Sequence, residues 1–152
     1  MRKNTLLFIL VTCIVSNLNS QKKFSNRKID NLKNQVQQLV EEDKKMTQVM
    51  IDKVFSFGEL GFQEFETSKY MGAILEENGF DVEYQVSNIP TSWLATWSNG
   101  EGGPVIALGS DFDGVPSTSQ YPGVAYEKPV VEGAPGHGEG HNIGLPIIVT
   151  SA

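Results

Sequence analysis

The chain has a single cysteine, Cys13, in 152 residues, so no intramolecular disulfide can form. Basic residues are also scarce, with 12 Lys and Arg against 18 Asp and Glu. A net charge of −6 argues against a nucleic-acid binder, which needs a basic face to neutralise phosphates. No internal run reaches the roughly 18 to 20 apolar residues of a membrane span. Internal repeats are absent too. What is present is a globular composition, 39% hydrophobic and 20% charged, too apolar for a disordered chain. The length suits one ordinary domain.

The first twenty residues have a different character. Arg2 and Lys3 make a short basic start, Leu6 to Val15 is apolar, and Ser16 to Ser20 turns small and polar. That order is the pattern of a secretory signal peptide, with cleavage expected after Ser20. Two other readings are a buried N-terminal helix and a lipidated Cys13, against which Thr12 and the apolar residues beyond Cys13 both count. Cleavage would leave residues 21–152 with a charge of −8 and no cysteine. Any metal site in the exported chain must then use His, Asp and Glu.

From residue 21 the spacing is helical. Ile29, Leu32, Val36, Leu39 and Val40 recur at helix period, as do Met46, Val49, Met50, Val54 and Phe57, predicting one long helix or two consecutive ones up to Gly58. A further helix is expected from Glu64 to Asn78, with Tyr70, Ile74 and Leu75 on its apolar face and Gly79 as its stop. Val82, Tyr84 and Val86 alternate with polar residues, and Trp93, Ala95 and Trp97 alternate likewise, so two strands are expected, with Asn99-Gly100 as a turn. The continuous apolar run Pro104–Gly109 predicts a strand buried on both faces. It would deliver Asp111 and Asp113 to its end, where open α/β sheets place their sites.

Eleven of the fifteen glycines and six of the seven prolines fall between Gly100 and Pro146. Residues 114–142 have little periodicity, and a loop of that length inside a domain is usually functional or disordered. It carries both histidines, His137 and His141, with Glu139 between them. On an extended segment, positions two apart point the same way, so the three side chains could converge. Imidazole nitrogen and carboxylate oxygen suit Zn²⁺, Mn²⁺ or Co²⁺. Asp111 and Asp113 are further acidic candidates and Glu132 a weaker one; a solvated glycine-rich loop is the plain alternative. Asn142 is positioned to cap a last helix.

Three stretches carry a resemblance. They are Gly58-Glu59-Leu60-Gly61-Phe62-Gln63-Glu64 with Thr67, Leu75 and Gly79; Ser110-Asp111-Phe112-Asp113-Gly114-Val115-Pro116; and Gly136 to Asn142. In that order they resemble the opening, the strand-end acidic element and the metal loop of the zinc carboxypeptidase–aminoacylase family. The similar branch is that of the aminobenzoyl-glutamate utilisation protein B amidohydrolases. The resemblance implies an α/β fold, the N-terminal part of a three-layer α/β/α zinc-exopeptidase-like catalytic domain without its C-terminal part or lid. It implies that His141 is a metal ligand and that Glu139 replaces the branch's usual ligand cysteine. It makes Asp113 the supporting acid that orients a ligand, Asp111 a ligand position and His137 a loop histidine near the metal. Zn is the implied cofactor, with Mn or Co as alternatives.

The general-base glutamate, its neighbouring ligand carboxylate, two later histidines and the lid that makes a homodimer are expected downstream of Ala152. The implied activity is hydrolysis of an N-acyl amino acid, aminobenzoyl-glutamate or small peptide, by a secreted or periplasmic enzyme of which these residues alone are inactive. A truncated relic that binds metal or a partner weakly, and an acidic secreted binding module without metal, are the alternatives from other classes.

Overall fold

The computed structural model describes residues 25–152; the expected signal peptide and its cleavage point lie outside them. The chain divides into two compact units, Met1–Glu42 and Asp43–Ala152. No helix among the described residues is long and apolar enough to cross a membrane.

In the first unit the described residues are the start of helix α1, which spans Asn26–Phe57. Ser25 opens it: its carbonyl accepts from the N–H groups of Lys28 (2.9 Å) and Ile29 (3.1 Å). The apolar stripe expected here forms on a helix, but Ile29, Leu32, Val36, Leu39 and Val40 are all exposed.

The second unit contains the core. The remainder of α1 buries Met50 and Val54; α2 (Phe65–Glu77) buries Met71 and Leu75; α3 (His141–Ser151) buries Leu145 and Val149. Tyr70, Ile74, Phe80, Val82, Trp93, Ala95 and Phe112 pack around these six. Each fully buried side chain of this size contributes roughly 1.5–3 kcal/mol relative to exposure.

Helix α2 ends where Gly79 takes φ +88, with the Phe80 N–H returning to the Leu75 carbonyl at 3.0 Å. Strand β1 (Asp81–Tyr84) then pairs antiparallel with β2 (Trp93–Thr96), Val82 opposite Ala95 and Tyr84 opposite Trp93. Trp93 and Ala95 share the packed side of β2, in keeping with their alternation. Trp97 lies past the strand end and is exposed. The hairpin turns through Gln85, Ser87 and Asn88, all with positive φ. The architecture is mixed: helices and a small antiparallel sheet, compatible with the α/β class.

Two expectations fail. Pro104–Gly109 forms no strand; Val105 is 98% and Ile106 80% exposed. A strand buried on both faces needs neighbours to accept its ladder and layers to cover it. Among the described residues the only sheet is β1–β2, and those strands pair with each other. Asn142 does not cap α3. The cap is Gly140 at φ +100, and Asn142 lies inside the helix, buried. Only glycine takes that left-handed turn without a Cβ penalty, and the neighbouring Glu139 supplies the acceptor.

Candidate functional site

The three motifs, distant in sequence, meet through their backbones. Leu60 bridges Gly114 in parallel, with the Gly114 N–H donating to the Glu59 carbonyl at 2.6 Å. Val115 bridges Gly136 antiparallel, exchanging bonds of 2.8 and 3.1 Å. The Thr118 hydroxyl lies 2.8 Å from both the Val115 and Gly136 carbonyls, tying the junction. The crossing is close at Gly114. A Cβ on Gly114 would stand 3.0 Å from the Gly136 oxygen and 3.1 Å from the Glu59 oxygen.

Glu59 anchors the first motif. Its carboxylate accepts from the N–H of Glu66 and Thr67, each at 2.9 Å, and from the Thr67 hydroxyl at 2.8 Å. It therefore fills two of the orphan donors at the start of α2 with a negative charge at the positive end of the helix dipole. Glu64 is buried and accepts from the Thr91 hydroxyl at 2.6 Å, fastening this turn to the β hairpin. Sequence reasoning did not assign either role. A cap seven residues before its target lies outside the usual three-residue capping box, so no local signal marks it. Glu59→Gln is expected to lower stability by about 0.5–2 kcal/mol, the range of a lost helix cap. A urea midpoint that does not move would refute the capping role.

Asp113 and His141 form the central pair. His141 Nδ1 lies 2.9 Å from Asp113 Oδ1 and 3.2 Å from the Asp113 carbonyl. Both partners are acceptors, so Nδ1 carries a hydrogen in this arrangement. The His141 side chain is about one-third exposed.

His137 and Glu139 are arranged differently. The His137 side chain is 0% exposed. Its Nε2 donates to the Val54 carbonyl at 3.1 Å and its Nδ1 lies 3.2 Å from Glu139 Oε1. Both ring nitrogens are thus engaged, and the ring pins the glycine-rich loop to the end of α1. Glu139 Oε1 also accepts from the His141 N–H at 3.2 Å, at the start of α3, and stands 3.6 Å from His141 Nδ1. Burial pushes the Glu139 carboxyl up. Hydrogen bonds from its own backbone N–H, from His137 and from the His141 N–H, with the charge of His137 added, outweigh burial and hold it below the ordinary carboxylate range.

Asp111 and Glu132 stand apart. Asp111 is exposed, and Glu132 lines a polar depression of about 710 Å³ formed by residues 117–138. The structure therefore brings together Asp113, His137, Glu139 and His141, and leaves out Asp111. Among the described residues no group of three His, Cys, Asp or Glu is arranged to hold a metal ion. The cluster is a hydrogen-bonded set of two imidazoles and two carboxylates. Both carboxylates stand on the Nδ1 side of the His141 ring, Asp113 at 2.9 Å and Glu139 at 3.6 Å.

Sequence similarity supports the aminobenzoyl-glutamate hydrolase-like branch of the amidohydrolase family. It is 36% identical over 104 residues, 68% of its length, to the B subunit of the p-aminobenzoyl-glutamate hydrolase of Escherichia coli strain K12. The matched region is 21% of that relative, so the chain spans about one fifth of its length. No family model and no solved structure matches the chain.

Proposed function

We propose that the chain serves an exported, metal-dependent amidohydrolase of the zinc-exopeptidase-like α/β/α type, acting on aminobenzoyl-glutamate, an N-acyl amino acid or a small peptide. The observation that carries this reading is the Asp113–His141 pair, whose hydrogen bonds engage Nδ1 of a partly exposed ring, set in a sequence related to an aminobenzoyl-glutamate hydrolase. His141 Nε2 and the Glu139 carboxylate would hold the ion, most readily Zn²⁺, with Mn²⁺ or Co²⁺ as the harder-ligand alternatives. When bound, such an ion supplies Lewis acidity toward an amide carbonyl and lowers the pKa of water.

The residues present do the positioning. Asp113 fixes the orientation of the His141 ring through Nδ1. His137 holds the loop against α1. Glu139 ties the loop to the first N–H of α3, so moving it would turn His141 as well. Only His141 and Glu139 are offered as ligands here, so residues 21–152 alone would hold metal weakly and would not turn over an amide.

The test is release of p-aminobenzoate from aminobenzoyl-glutamate by the complete gene product, with and without chelator, beside the isolated 152-residue chain. Activity of the complete protein that is lost on chelation and restored by Zn²⁺ or Mn²⁺ supports the reading. Metal-independent hydrolysis, or chelator-sensitive turnover by the short chain, would overturn the assignment of roles. An intact Met1 in the mass spectrum of protein recovered from the producing cell would remove export.

A further inference from the structure

We propose that the exposed stripe of α1 between Ile29 and Val40 is a self-association surface, occupied by the same stripe of a second copy running antiparallel. Ile29, Leu32, Val36 and Leu39 are spaced three, four and three residues apart, the a and d positions of a heptad seam, and Val40 widens it. Every one of these side chains is exposed, from 38% at Ile29 to 59% at Val36 and Val40. They flank a shallow groove of about 530 Å³ into which Lys33 and Gln37 also project. A continuous helix with such a seam gains most by laying it against a matching one.

Charge selects the partner and its direction. Arg27, Lys28 and Lys33 sit at the start of the stripe, and Glu41 and Glu42 at its end. In a parallel pair, Lys28 of one copy would flank Lys33 of the other, a like-charge contact. In an antiparallel pair whose a and d positions match, Lys28 flanks Glu42 of the second copy at both ends of the seam. The two Lys33 side chains then meet near the middle, where their stems cover apolar surface and their ammonium groups reach water. Gln37 borders the apolar stripe and Gln38 lies outside it, so the contact is narrow and reversible.

Sedimentation equilibrium of the 152-residue chain, under reducing conditions that exclude a Cys13 bridge, reads this directly. The mass is expected to rise with concentration from one chain to two. Val36→Glu with Leu39→Glu should hold it at one chain with unchanged helical circular dichroism. Lys28→Glu and Glu42→Lys should each weaken association about three- to tenfold, as expected for two symmetry-related rim pairs. The combined Lys28→Glu, Glu42→Lys variant should restore it. A single-chain mass at every concentration would overturn the proposal. So would a double charge variant as weak as either single one, or a stripe that binds anionic vesicles and leaves the mass at one chain.

Discussion

In the complete protein, His141→Ala is expected to lose most of its bound metal and most of its hydrolytic activity, with little change in folding. The substitution removes the one imidazole nitrogen that is both oriented and free, since Asp113 already occupies Nδ1 at 2.9 Å. The ring is one-third exposed, so its loss leaves no large cavity. Asp113→Asn should act more mildly, by about the 10- to 100-fold typical of a partner behind a ligand. An asparagine can still accept from Nδ1 but carries no charge to strengthen that hydrogen bond. Glu139→Gln should lower metal content nearly as far as His141→Ala. It also removes a charge from the start of α3, so a drop in thermal stability is expected only for this variant. Metal per chain, activity and Tm measured across the three separate these effects. If His141→Ala binds metal as the parent does, the pair is a loop fastening and the metal site lies elsewhere.

Gly136→Ala should be the most disruptive one-carbon change in the loop. A Cβ there would lie 2.5 Å from the Thr118 carbonyl oxygen, 2.9 Å from its carbon and 3.0 Å from Ser119 Cα. These are backbone atoms, and they cannot rotate away as a side chain would. Either the Val115–Gly136 bridge opens or residues 118–119 shift. Overpacking of this kind costs about 1–3 kcal/mol. His137 follows directly in sequence, so the movement should also loosen its bond to Val54 and reduce metal affinity. Gly103→Ala is the control, because its Cβ would meet nothing within 4 Å and its φ is not positive. Thermal denaturation should place Gly136→Ala several degrees below the parent and Gly103→Ala within error of it. Equal Tm values would mean that the crossing of the three motifs is not held as described.

The elements that are legible in the sequence are those whose signal is local. Helix α1 and helix α2 follow from 3.6-residue spacing, and Gly79 stops α2 because it turns left-handed at no cost. The β1–β2 hairpin follows from alternation, since successive side chains of a strand must face opposite ways. The run Pro104–Gly109 departs from its expected strand because apolar character predicts burial only if something is there to cover it. Val105 at 98% exposed has no such cover among the described residues.

The sequence by itself determined the residue types of the site. Two histidines and a glutamate two apart in a glycine-rich loop, and two aspartates after an apolar run, make imidazole nitrogen and carboxylate oxygen the polar groups available there. Only the tertiary structure decided how those residues divide the work. Asp113 turns toward His141 because Gly114 is fastened to Glu59, 55 residues earlier. His137 is withdrawn from solvent because Val54, on another element, offers it a carbonyl. Asp111, two residues from Asp113, stays at the surface. Spacing along the chain sets which side chains could converge; which ring nitrogen is spent on a hydrogen bond and which stays open depends on acceptors that arrive from far away in sequence.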